Sequence, residues 1–105
     1  MDRYMPLTLI STEYISDDLG QQIAIEKKTD VIAEVESVGG AEWNDAGRNG
    51  IRPAYRFNVD SLEYSGEEIV EYLGHRYGIY RTYLGDGEKI ELYAERKAGY
   101  EKGIR

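Results

Sequence analysis

The sequence predicts a small, mainly β domain, an antiparallel barrel or sandwich of about six strands with one long loop holding a short helical turn. Three observations predict it. Apolar and polar residues alternate with period two along several segments. Ten tyrosines stand against one phenylalanine. Tyrosine suits a half-buried pleated surface, where its ring packs on a neighbouring strand and its hydroxyl keeps a polar partner. Glycine-bearing turn signals fall between the alternating segments, as hairpins require.

The elements follow in order. Leu7 and Leu9 alternate with polar neighbours, and Tyr14 leads into Asp17-Asp18-Leu19-Gly20, a turn signal. Residues 22–27 then return as the second strand of a first hairpin. This strand continues over residues 29–37, where Val31, Ala33 and Val35 point one way and Glu34 and Glu36 the other. Residues 38–50 break the pattern with Gly39, Gly40, Gly47 and Gly50, and Ala41 to Ala46 read as a helical turn ended by Gly47. Residues 51–59 show the clearest alternation, with apolar residues at every odd position. Pro53 lacks a ladder N–H, so that strand starts late or lies at an edge. Residues 68–73, 76–84 and 89–97 give three further strands, separated by Gly74-His75 and by Gly85-Asp86-Gly87-Glu88. Residues 99–105 read as a polar tail.

With 105 residues the chain makes one domain with one core. No cysteine is present, which excludes a disulfide framework, thiolate catalysis and thiolate zinc sites. The apolar runs are too short for a membrane span, and the N-terminus lacks the pattern of a signal peptide, so a soluble protein made in the cytoplasm is expected. Twenty acidic and thirteen basic side chains give a formal net charge of −7. That balance opposes nonspecific binding to phosphate backbones.

The candidates for chemistry are weak. Glu34, Glu36, Glu91 and Glu95 occupy the polar phases of their strands, where a solvated face explains them. His75 is the only histidine and reads as an exposed turn residue, with no second histidine to share a metal. Asp86-Gly87-Glu88 lacks the ligand spacing of a calcium loop, and Gly39-Gly40 has neither the following lysine nor the dinucleotide fingerprint of a phosphate cradle. No catalytic residue, metal site or cofactor is expected. Tyr77, Tyr80, Arg81 and Tyr83 suit base stacking, but cross-strand tyrosine pairing explains them better. Trp43 is either an anchor for its loop or, with Arg48 and Arg52, a contact for a partner.

The run from Glu42-Trp43-Asn44-Asp45-Ala46-Gly47-Arg48-Asn49-Gly50-Ile51-Arg52-Pro53 into Tyr55-Arg56-Phe57-Asn58-Val59 resembles a pattern of the head-tail joining, or head-closure, proteins of tailed bacteriophages. Tyr64, Gly66-Glu67, Tyr77-Gly78-Ile79-Tyr80-Arg81 and Ile90-Glu91-Leu92-Tyr93 continue the resemblance in the same order. It extends over most of the chain, from about Leu7 to Gly99. One departure is Gly39-Gly40, where a serine or other polar cap is expected before the helix. The resemblance implies a structural virion protein at the head-tail interface, assembled in the host cytoplasm. It implies a ring of copies, with the isolated subunit free to be monomeric, bound to portal or adaptor proteins of the head and to a tail-completion protein. DNA then passes the channel without sequence-specific binding, and no membrane takes part. Gly39, Gly40, Glu42, Trp43, Gly47, Arg48 and Gly50 are the candidates for a channel loop or gate. Extended out and back, residues 38–50 reach about 20 Å. Trp43, Arg52, Tyr80, Arg81 and Tyr100 are candidate partner contacts. The alternative is a β-barrel interaction module of prophage or bacterial origin.

Overall fold

The computed structural model describes residues 4–85 and 87–96. The expected tail at 99–105, with Tyr100, lies outside them. Among the described residues the elements are β1 (Tyr4–Ser16), β2 (Gln22–Glu36), α1 (Gly40–Gly47), β3 (Pro53–Asp60), a 3-10 turn (Ser61–Glu63), β4 (Ile69–Tyr72), β5 (His75–Leu84) and β6 (Lys89–Glu95). All six strands are antiparallel to their neighbours and close into one ring in the order β1-β2-β3-β6-β5-β4. Closure is the physical answer to sheet edges, because each ring strand then has partners on both sides. The predicted mainly β architecture is therefore the one observed.

The inward phase of each strand supplies the core. Leu7 and Leu9, Val31 and Ala33, Phe57 and Val59, Val70 and Tyr72, Tyr77, and Leu92 and Ala94 form one buried cluster. Phe57 sits among tyrosines, with its ring centroid 5.3 Å from that of Tyr72 and 5.7 Å from that of Tyr55. Tyr55 meets Tyr72 and Tyr77 edge-on at 5.1 and 5.5 Å, the geometry that sets the positive edge of one ring against the negative face of another. Pro53 does open β3 late, and a register irregularity between Pro53 and Tyr55 absorbs its missing donor.

β1 and β2 outrun the ring. They pair along their whole length, from Tyr4↔Glu34 to Ser16↔Gln22. Yet β1 meets β4 only over Thr8–Ile10, and β2 meets β3 only over Glu34–Glu36. Residues 11–27 therefore leave the ring as a two-stranded arm about 20 Å long, which makes the molecule 50 Å long against 30 and 24 Å across. At its tip Asp17 Oδ1 accepts from the Leu19 and Gln21 amides, each at 2.9 Å, and Gly20 turns the chain at φ +82°. At its base Arg76 donates to both oxygens of Glu26, at 2.7 and 3.0 Å, and lies 3.9 Å from Glu71. Burial of Arg76 makes this two-point contact a rigid brace.

Three expectations need correction. The β4–β5 turn is Leu73-Gly74, one residue earlier than the sequence indicated: Leu73 and Gly74 have φ of 53° and 82°, the positive values at both central positions that a type I′ two-residue hairpin requires. His75 is accordingly not an exposed turn residue but the half-buried first residue of β5, opposite Tyr72. Glu95 is also buried, as is Tyr93, so the outer face of β6 is covered and not solvated. Leu73 is largely exposed and gains nothing from its strained backbone. Leu73→Asn is expected to stabilise the domain by about 1 kcal/mol, seen as a raised denaturation midpoint; an unchanged or lowered midpoint would contradict the turn geometry.

Candidate functional site

On that outer face Tyr93 is covered by Arg81 and Tyr80 of β5, and the site is the seam between β5 and α1. Gly39 occupies the N-cap with no side-chain hydrogen bond, consistent with the departure noted at Gly39-Gly40. The stop is more elaborate than a glycine at 47. The Ile51 amide donates to the Ala46 carbonyl at 3.1 Å and the Gly50 amide to that of Gly47 at 3.0 Å. Gly50 has φ +77°. These two bonds form a Schellman motif, in which Gly50 is the left-handed residue and Gly47 is still inside the last turn. Residues 38–50 thus cross as a folded helix, whose eight residues rise only about 12 Å, and not as the extended loop from which the reach of about 20 Å was calculated.

A bulge aims the opposite wall. Ile79 faces Ala94 and Arg81 faces Tyr93, so β5 carries one extra residue, Tyr80, between them. The extra residue turns both Tyr80 and Arg81 toward α1. Tyr80 Oη donates to Glu42 Oε2 at 2.8 Å, and Arg81 donates from Nη2 to Oε1 at 2.5 Å and from Nε to Oε2 at 3.4 Å. The Arg81 guanidinium also lies 3.9 Å above the Tyr93 ring, and Tyr93 donates to Glu91 at 2.6 Å. One carboxylate on the helix is therefore held by three donor atoms on the sheet. Beside this clasp a surface cleft of about 540 Å³ is lined by Glu42, Asp45, Ala46, Asn49, Ile51, Tyr80 and Arg81.

The clasp fixes protonation as well as position. The Arg81 hydrogen bond, aided by Tyr80, outweighs burial and holds the Glu42 carboxyl below its ordinary range. Burial, and then the bond to Glu42, pushes the Tyr80 phenol well up. Glu42 is thus ionised and Tyr80 protonated across the neutral range, as a lasting ionic clasp requires. Because the folded carboxyl is the more acidic, its stabilisation is complete above the ordinary carboxylate range and disappears as pH falls through the depressed value. Trp43, the single tryptophan, rides on α1 and reports this. Its fluorescence is expected to hold steady from neutral pH to the ordinary carboxylate range and to change below it. Glu42→Gln should remove that acid step, and a step that persists in this variant would place the titration elsewhere.

Of the residues singled out from sequence, the fold brings Glu42 to Tyr80 and Arg81. Trp43, Gly47, Gly50 and Arg52, with Ile51, line a second open cleft of about 510 Å³. Trp43 is half exposed there. Arg48 turns aside to Asp45 at 3.2 Å. Tyr77 is in the core and not on a stacking face. Sequence reasoning missed Tyr93 as the ring beneath Arg81 and Arg76 with Glu26 as the brace of the arm. A tyrosine on the polar phase of β6 was the available signal, since an aromatic there marks an outer face that something covers. Among the described residues no helix is long and apolar enough to cross a membrane. No protein-family model matches the chain, and no curated protein matches it either.

Proposed function

We propose that this chain is a structural subunit of the head-tail connector of a tailed bacteriophage or prophage, forming a ring that closes the DNA-filled head and presents a docking surface to the tail. The observation that carries this reading is a convergence in space. The segment around Glu42-Trp43 and the segment around Tyr80-Arg81, two separate pieces of the resemblance, meet in one clasp, 38 and 39 residues apart in the chain. Portal or adaptor proteins on the head side and a tail-completion protein on the other are the partners of this reading, and the head-tail interface of the virion is its location. The net charge of −7 suits a wall past which DNA slides without adhering.

The clasped helix is the gate of this proposal. Gly39 suits the N-cap, but Gly40 and Gly47 have neither positive φ nor a neighbour that a Cβ would meet within 4 Å, so the docked state gives no reason for glycine at those two. Freedom to adopt a second conformation is the reason proposed. Gly40→Ala with Gly47→Ala is expected to stabilise the docked helix by about 1 kcal/mol for each change while impairing particle function. Stabilised protein with full infectivity would remove the gate.

Electron microscopy of particles from a phage or prophage with this gene disrupted tests the whole reading. Full-length tails lying apart from emptied heads support it. Intact joined virions would sink it in favour of the interaction module, which the apolar residues exposed on the arm also suit.

A further inference from the structure

Asn49-Gly50 is the one Asn-Gly pair in the sequence, and it stands at the stop of α1. Asparagine before glycine is a reactive pair, because the glycine nitrogen carries no neighbouring Cβ to keep it from the asparagine side chain. Asn44 and Asn58 are followed by Asp45 and Val59, whose side chains crowd the same approach. Asn49 is exposed to solvent. The chemistry needs only water. The Gly50 nitrogen gives its proton to solvent hydroxide and bonds to Cγ of Asn49, the Cγ–Nδ2 bond breaks, and Nδ2 leaves as ammonia. Water then opens the cyclic imide at either carbonyl, and a carboxylate stands at position 49 on an aspartyl or isoaspartyl backbone. Nothing is oxidised or reduced.

The docked helix holds both reacting groups apart. The amides of Asn49, Gly50 and Ile51 donate to the carbonyls of Ala46, Gly47 and Ala46 at 3.0, 3.0 and 3.1 Å, and Asn49 Nδ2 lies 3.5 Å from the Asp45 carbonyl. The attacking nitrogen is thus the donor of a Schellman bond. Turning it onto Cγ requires the stop of α1 to open. The product opposes closing again. A carboxylate at position 49 lies four residues after Asp45, a like-charge pair on the helix, and at the end of α1 where the unpaired carbonyls already carry partial negative charge. It also enters the cleft that holds Glu42 and Asp45, whose arginine, Arg81, is engaged by Glu42.

We propose that Asn49-Gly50 is a self-modifying site: when α1 leaves its dock, the Gly50 nitrogen converts the Asn49 side chain to a carboxylate, a one-way mark that weakens the dock. The proposal concerns the chain alone and stands whether or not the protein is a connector subunit.

The test compares full-length chains incubated at neutral pH, folded or unfolded in urea, with conversion at each asparagine followed by peptide mapping and mass spectrometry. Conversion is expected at Asn49 and not at Asn44 or Asn58, and roughly tenfold or more slower in the folded chain, as for a reaction that waits on local opening. Arg81→Ala removes the main hold on Glu42 and should narrow the gap between folded and unfolded rates severalfold. Gly47→Ala, where a Cβ meets nothing within 4 Å, should widen it by about threefold through a firmer helix. Equal rates in the folded and unfolded wild-type chain would overturn the proposal. An unchanged gap in Gly47→Ala would do so too, even if Arg81→Ala failed to fold. Asn49→Asp checks the consequence: the amides of Gly50 and Ile51 should exchange hydrogen roughly twofold to fivefold faster than in the unmodified chain, and unchanged exchange would show that the mark does not weaken the dock.

Discussion

Phe57→Ala is expected to lower the unfolding free energy by about 3–5 kcal/mol, the usual cost of emptying a large aromatic site. The side chain has no exposed surface, and three tyrosine rings have centroids 5.3 to 6.5 Å from its own. Those rings cannot collapse into the space, because each belongs to a strand whose register is fixed on both sides by the closed sheet. A domain of this size has about 5–15 kcal/mol in total, so the variant loses a large share of its stability. Urea denaturation followed by circular dichroism measures the effect as a fall in midpoint at unchanged slope. A loss of less than about 1 kcal/mol would mean that the core relaxes around the gap.

The second large effect is expected at the brace of the arm, and it is asymmetric. Glu26→Ala leaves the Arg76 guanidinium, whose side chain is 9 % exposed, with Glu71 at 3.9 Å as its one remaining carboxylate among the described residues. Arginine does not shed its charge, so the expected loss is about 3 kcal/mol. Arg76→Ala leaves two carboxylates that are about a third exposed and can rehydrate, and its loss is only about 1 kcal/mol. Arg76 holds the Glu26 carboxyl below its ordinary range, so this contribution too is present above that range and fades as acid protonates Glu26. Hydrogen exchange supplies the spatial readout: arm amides at 11–16 and 22–27 should exchange faster in both variants while the ring strands keep their order of protection. Equal, small losses with an unchanged arm would show that the brace is not what holds it.

Much of the fold was legible because its signals are local. Alternation placed Leu7, Leu9, Phe57, Val59, Leu92 and Ala94 on the inner face without reference to any partner strand. Asp17-Asp18-Leu19-Gly20 announced its turn through one carboxylate and one glycine. The turn at Leu73-Gly74 was misplaced by one residue, because leucine carries no local sign of the positive φ imposed on it by the pairing of β4 with β5.

The clasp was half legible. Glu42, Tyr80 and Arg81 were each singled out, but for a loop and a partner surface and not for one another. The sequence by itself determined the period-two faces, the turn chemistry and the acidic balance, since these depend on side-chain type and near neighbours. Only the tertiary structure decided that the ring closes, that a bulge turns Tyr80 and Arg81 together toward Glu42, and that β1 and β2 run on past their partners as an arm. The physical reason is that each of these depends on register between segments far apart in the chain, and register is fixed by the simultaneous packing of all the strands.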